Sequence, residues 1–400
     1  MCRVILRVVL KIVMVLLLVG VGLFISTNAS IVYDFAEPRQ FAGPDIYNPY
    51  HNLDTINGWR RANFHAHTRV NGIFNECEFW PDSVYRAYES FDYDIIGISN
   101  HNKITHYPTT GECRMSIYEH GYNFLNYHLL VFGSERVWHF DNMLPLFASQ
   151  HQFIIDRLSR DADIIQINHP HRTPLLDRDV FKKIGGYQLV ELTSTIATIE
   201  NEHWDWALSA GHYCHGILND DMHRPNDSYN IAVRCSFLSL PDLSYPSVRR
   251  ALLEGCFYSM RIPNYGTGDW KRKREANAAL PYVRDIGLRD STIYIEMSDV
   301  ADSIKFIGSD HRVLHLVEMS DTATYTMLPE DEYARIIVFY PNNAVIFSNA
   351  FARYDSSCEK SPYRAGGYTP NWLLTALYNL VITICVVCLI SLIYRIIRRR

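Results

Sequence analysis

Four hundred residues with 48% hydrophobic side chains and a formal net charge of −5 suffice for one large domain plus a smaller one, with a sizeable core. The charge has no polycationic character, and no basic cluster interleaves with aromatics in the middle of the chain. Nucleic acid as an electrostatically captured partner is therefore disfavoured.

From the N-terminus, Ile12–Ser26 is uncharged and aliphatic after Arg3, Arg7 and Lys11, the pattern of a secretory signal or an uncleaved signal anchor. The small residues Ser26–Ser30 leave both readings open, so 1–29 is signal peptide or anchor and 30–57 a linker. Between about 60 and 260, short aliphatic runs alternate with amphipathic stretches. Strands are expected at Ala62–His65, Tyr93–Ser99, Leu129–Gly133, Asp163–Ile167, Tyr187–Leu192 and Cys214–Leu218. Helices are expected at Asp82–Ser90, Met143–Arg160, Leu176–Lys183, Ile199–Ala210 and Ser247–Glu254. Such alternation argues for a parallel sheet with crossover helices, most economically a closed or nearly closed α/β barrel.

Beyond residue 285 the runs become short, β-branched and separated by turn residues: Ser291–Met297, Ser303–Ile307, Arg312–Val317, Ala334–Phe339 and Ala344–Asn349. A small β-sandwich-like domain over 286–356 is expected. Lys271–Arg274 reads as a solvated basic linker, and 357–370 as a second linker. Within 371–395, Trp372–Tyr394 carries no charge and at ~1.5 Å per residue is long enough for a ~30 Å hydrocarbon core. The Arg-rich tail 396–400 belongs in the cytoplasm by the positive-inside rule. The N-terminal bases belong there too, which puts residues 30–370 on the extracytoplasmic side. Cys77, Cys113, Cys214, Cys235, Cys256 and Cys358 fall in that part and allow up to three disulfides, with Cys77–Cys113 the first candidate.

Fifteen of the seventeen histidines lie between His51 and His223, many at the C-terminal end of an expected strand. His65 and His67 share one strand face. They are followed by strand-end His101, Glu135, His169 and the Asp221-x-His223 pair. Imidazoles with interspersed carboxylates at strand ends are how α/β barrels assemble polynuclear metal centres.

The text Asn63-Phe64-His65-Ala66-His67-Thr68, Gly97–Asn102, Gly133-Ser134-Glu135, His169-Pro170, Val190-Glu191 and Asp221-Met222-His223 resembles the PHP (polymerase and histidinol phosphatase) family. The helix candidate running from Ser247 to Gly255 and into Tyr258 adds to it, so that the resemblance covers roughly 58–262, within a domain over 58–285. It implies a distorted (β/α)7 TIM-like barrel with two or three divalent cations, commonly manganese, zinc or iron. It implies hydrolysis of phosphate esters, with nucleases among the members.

On that resemblance the metal ligands are His65, His67, His101, Glu135, His139, His169, Asp221 and His223. Glu135 would bridge two cations, and Asp221 or His223 would act as general acid and base. Arg172 is either a clamp on substrate phosphate or a surface residue, and Glu191 either supports the site or is a buried structural carboxylate. Two positions depart from the family: Asn63 and Asn100 stand where Asp is usual. The family's acidic or His residue after the first motif has no match within Arg69–Asn75.

The reading is a membrane-tethered, exported phosphoesterase acting on a phosphorylated small molecule, lipid or glycan. The alternatives are a catalytically silent barrel used for binding, favoured by Asn63 and Asn100, and an amidohydrolase-like metal hydrolase. Oligomeric state is not legible.

Overall fold

The computed structural model describes residues 2–54, 56–72, 75–109, 113–192, 202–263 and 268–398. The apolar runs that end in polar residues become strands buried on both faces, which is why they read as continuous Val, Ile and Leu. Leu129–Phe132 and Ile164–Ile167 are buried at every position. A five-stranded sheet takes Ile117–His120, Leu129–Phe132, Ile164–Ile167, Leu189–Glu191 and His215–Ile217 in that order. Its last three strands are parallel, whereas Leu129–Phe132 runs antiparallel to both of its neighbours.

The second sheet has eleven strands. Its Trp59–Asn63 strand pairs in parallel with Ile95–Ile96 and antiparallel with Arg234–Ser239. Among the described residues no closed barrel is detected. Strand sense reverses at the Ile117–Phe132 hairpin and again at Arg234–Ser239, so no continuous ring of parallel strands can close. Two isolated bridges, Ala66 to Met222 and His101 to Glu119, stitch the two sheets together.

The strands expected for a small β-sandwich-like domain join a larger sheet. The strands Val283–Arg289, Thr292–Gly308, Tyr333–Phe339 and Val345–Ser348 continue the eleven-stranded sheet through Phe257–Arg261. The 285/286 boundary therefore falls inside a strand. Thr292–Gly308 alone spans two of the expected strands and pairs with Arg312–Thr326.

Lys271–Arg274 lies in the helix Trp270–Ala278 rather than in a linker. Lys273 is buried, donates to the Ser228 carbonyl at 2.6 Å, and has its pKa lowered by burial to about 8. The expected helix Ile199–Ala210 is seen as Glu202–Ser209, and 199–201 lie outside the described residues. The six cysteines of this region are free thiols. Cys77 and Cys113 pack in different apolar clusters, Cys77 with Tyr88 and Met222 and Cys113 with Phe64 and Leu130.

Two apolar helices, Cys2–Ser26 and Trp372–Arg398, are long enough to cross a membrane, and none of either helix's apolar stretch is buried. They lie side by side in opposite directions. A Cβ on Gly22 would sit 3.8 Å from Leu389, while the Tyr378 hydroxyl donates to the Asn28 carbonyl at 3.0 Å and Val32 N donates to Thr375 at 2.9 Å.

One buried ion pair ties helix Glu202–Ser209 to the large sheet. Arg335 donates to both Asp205 oxygens at 2.8 and 2.6 Å, with both side chains almost fully buried, and its guanidinium lies 4.9 Å from the Trp204 ring. Removing one member of a buried pair leaves a charge without compensation. Arg335→Leu is expected to destabilise the chain by about 3–5 kcal/mol, read by denaturant titration in detergent. Adding Asp205→Asn should recover part of that loss; equal stability of the wild type and Arg335→Leu would contradict the assignment.

Candidate metal centre

The strand ends deliver side chains from both sheets to one point. Trp59–Asn63 runs out into His65 and His67, held by His67 N donating to Met222 O at 2.8 Å. Ile95–Ile96 leads to His101, Ile164–Ile167 to His169, Leu189–Glu191 ends on Glu191, and His215–Ile217 leads to Asp221 and His223. Glu119, within Ile117–His120, occupies the middle. Its Oε2 lies 3.2 Å from His65 Nε2, 3.3 Å from His67 Nε2 and 3.0 Å from His101 Nε2. Its Oε1 lies 3.3 Å from His128 Nδ1 and 3.4 Å from His169 Nε2, and accepts from Asn168 at 2.8 Å. Asp221 Oδ1 sits 3.2 Å from His65 Nε2 and 3.4 Å from His67 Nε2.

These residues fit divalent cations. His65 Nε2, both ring nitrogens of His67, His101 Nδ1 and His169 Nδ1 are buried without a hydrogen-bond partner, although carboxylate oxygens stand close to several of them. Lone-pair atoms facing each other at about 3.0–3.4 Å have the spacing of adjacent ligands around an ion with bonds of about 2.1 Å. Among the described residues four overlapping groups have this form: His65, Glu119 and His169; His65, His67 and Asp221; His67, His101 and Glu119; and His67, Glu76 and His223.

The electrostatics agree. Burial opposes charge on His65 and on Glu119. Nonetheless Glu119, Asp221 and Glu191 hold the imidazole well above its usual range, while His101, His65 and His128 hold the Glu119 carboxyl well below its own. Asp221 is likewise held low, against burial, by His65 and His67. The pocket demands positive charge at its centre.

Supporting contacts fix the ligands. Glu191 Oε1 lies 3.0 Å from His65 Nδ1 and its Oε2 accepts from His169 N at 2.8 Å, so Nδ1 is engaged and Nε2 turns inward, the usual carboxylate–histidine support of a metal ligand. Asn63 accepts from Asp220 N at 2.8 Å and donates to His65 O at 3.2 Å. Asn100 accepts from Thr68 N at 2.7 Å and donates to the Thr68 and Thr105 hydroxyls at 2.8 Å each. Both amides use donor and acceptor together, which a carboxylate could not do. They tie loops and face no ligand position.

His65, His67, His101, His169, Asp221 and His223 thus come together, with the His223 ring 4.3 Å from that of His67. Arg172 reaches the same place and donates to Asp221 Oδ2 at 2.7 Å while 47% exposed, leaving Oδ1 to face the histidines. Glu135 and His139 do not join: both are exposed and belong to none of the four groups. Leu129–Phe132 runs antiparallel, so its C-terminal end points away and its N-terminal end, His128, points in. Glu119, rather than Glu135, stands among the histidines, and Glu76, just beyond Arg69–Asn75, lies 3.3 Å from His67 Nδ1 and 3.3 Å from His101 Nε2. The local signal for Glu119 is the short stretch Met115-Ser116-Ile117-Tyr118 that leads into it.

No family model matches this chain, and no curated protein is found similar to it. Among solved structures, a two-domain protein from Bacteroides vulgatus containing a predicted PHP-like metal-dependent phosphoesterase aligns with 79% of this chain and 100% of its own, at 13% identity and a TM-score of 0.34. A lesion-specific endonuclease from Pyrococcus furiosus aligns with 49% of this chain and 56% of its own, at 11% identity and a TM-score of 0.34.

Manganese should raise the melting temperature of the wild type, of Glu135→Gln and of His139→Ala alike, because an ion that binds only the folded state stabilises it by ~2.7 kcal/mol at a hundred times Kd. Glu119→Gln should lose most of that gain. The reverse ranking of Glu119→Gln and Glu135→Gln would place the centre elsewhere.

Proposed function

We propose that this chain is a membrane-tethered, metal-dependent phosphoesterase whose substrate is a phosphate ester of a small molecule, lipid or glycan. One observation carries the reading: a buried carboxylate, Glu119, is shared by five imidazoles, and the His65 and His67 Nε2 atoms that face it lack hydrogen-bond partners. His65, His67 and Asp221 would hold one cation, and His101, His169 and His128 would hold others through Glu119, with Glu76 and His223 at the outer edge. Manganese, zinc and iron all suit this mixture of nitrogen and oxygen ligands. Bound divalent ions would neutralise the ester and acidify a water toward pKa ~7.

The chain's own side chains supply the rest. Arg172 is the cation at the mouth, and its planar fork suits phosphate oxygens. Its present partner is one oxygen of Asp221, so a bound phosphate would draw on its exposed N–H groups. His223 is 32% exposed, with Nδ1 held by the Asp221 carbonyl at 2.9 Å. Its other nitrogen is the ring atom left to pass a proton to the departing oxygen. The loop-tying roles of Asn63 and Asn100 remove the feature that favoured a catalytically silent barrel.

The antiparallel helix pair supports a tether with both chain ends on one side of the membrane, and the basic residues at both ends favour the cytoplasm for that side. It also favours an N-terminal helix retained as an anchor.

The full chain with manganese is expected to hydrolyse p-nitrophenyl phosphate, and His65→Ala to lower kcat at least a hundredfold. Arg172→Gln should mainly raise KM. Absence of turnover on both the monoester and the diester, with metal shown to be bound, would contradict the proposal.

A further inference from the structure

The loop between the Ile117–His120 and Leu129–Phe132 strands touches the metal centre and a terminal helix at once. The Tyr122 ring stacks on His101 at 4.9 Å, and the Phe124 ring lies 6.0 Å from Phe24, near the end of the N-terminal apolar helix. Only one residue, Asn123, and at most ~7 Å of backbone separate these contacts. Asn142 donates to the carbonyls of Thr27 and Ala29 at 2.8 and 3.1 Å, and Gln150, whose Oε1 accepts from Leu146 and Phe147, reaches Tyr378 of the second apolar helix at 3.5 Å.

Around the point where both helices meet the soluble part, three apolar side chains are bare: Phe124 at 67%, Phe147 at 58% and Leu146 at 46% exposure. Apolar surface left open beside a membrane span is covered at lowest cost by the interfacial layer of the same bilayer. The Arg172 segment joins this face, because Thr173 Oγ1 donates to Asn126 O at 2.8 Å, and Leu175 is half exposed.

Resting on the phosphoesterase reading, we infer that the face bearing Phe124, Leu146 and Phe147 lies in the membrane interface and that the substrate is a lipid carrying a phosphate ester, taken from the bilayer plane. The bilayer's polar layers occupy the difference between a ~30 Å hydrocarbon core and a total of ~40–45 Å. A phosphate in that layer would come up to Arg172 and the loop carrying Tyr122 while its acyl chains remain among lipid.

The test uses the full chain in phosphatidylcholine vesicles with manganese. Phosphate release is compared for phosphatidic acid in the bilayer, glycerol 3-phosphate and p-nitrophenyl phosphate. In parallel, a phosphatidic acid with a diazirine in its acyl chain is photolysed and the labelled peptides are mapped. Phosphatidic acid should turn over at least tenfold faster than glycerol 3-phosphate, and label should fall on 122–126 and 144–147. The double variant Phe124→Asp, Phe147→Asp should lose at least tenfold on phosphatidic acid and less than twofold on p-nitrophenyl phosphate. Turnover of the soluble esters with phosphatidic acid untouched, or label absent from both loops, would overturn this inference alone. No turnover of any ester would overturn the reading beneath it, and this one with it.

Discussion

A carboxylate buried at full depth among imidazoles is costly unless its charge is answered. Glu119 is such a group, and much of the surrounding architecture answers it. Its two oxygens reach histidines from three strand ends of two different sheets, together with His128 from the next strand. A cation centre is the arrangement in which that concentration of lone pairs becomes favourable. The parts that do not touch the centre hold its ligands in place. Glu191 fixes His65 and His169, Asn63 joins the first motif to the last, and Asp220 accepts from Ala232, Val233 and Arg234 to anchor the segment that follows.

The sheet arrangement follows from the same need. A closed parallel barrel would bring every strand's C-terminal end to one mouth. Here the hairpin Ile117–Phe132 inserts one reversed strand, so the mouth receives Glu119 from one arm and His128 from the start of the other. Closure is replaced by bridges at Ala66–Met222 and His101–Glu119, which lie at the ligands themselves. The scaffold is therefore tightest where the side chains must be fixed, and it continues outward as one broad sheet into residues 283–348.

Much of this was legible because strand ends carry a local signature: an apolar run followed by His, Asn or Asp. His65, His67, His101, His169, Asp221 and His223 all obey it, and the structure gathers all six. Strand direction has no such signature. Leu129–Gly133 followed by Glu135 is, as text, indistinguishable from a parallel strand with a terminal ligand, and only the pairing of Leu129–Phe132 with Ile164–Ile167 shows that its end points away. Glu119 was hidden for a related reason, since it sits inside a strand too short and too aromatic to stand out. The accessory strands were visible one by one, but their membership of the same sheet depends on long-range pairing that no local pattern encodes. Cysteine counting suggested disulfides for a similar reason: it sees numbers, and the first candidate pair, Cys77 and Cys113, is split between two apolar clusters.

The central claim is that Glu119 bridges cations held by the histidines of two sheets. It is tested most directly by an anomalous-scattering crystal structure of the full chain grown with manganese. The account predicts at least two anomalous peaks, one among His65, His67 and Asp221 and another on the His101 or His169 side of Glu119, each within about 2.0–2.3 Å of its ligands. A map with no peak beside Glu119, or with manganese held by Glu135 and His139 instead, would contradict it.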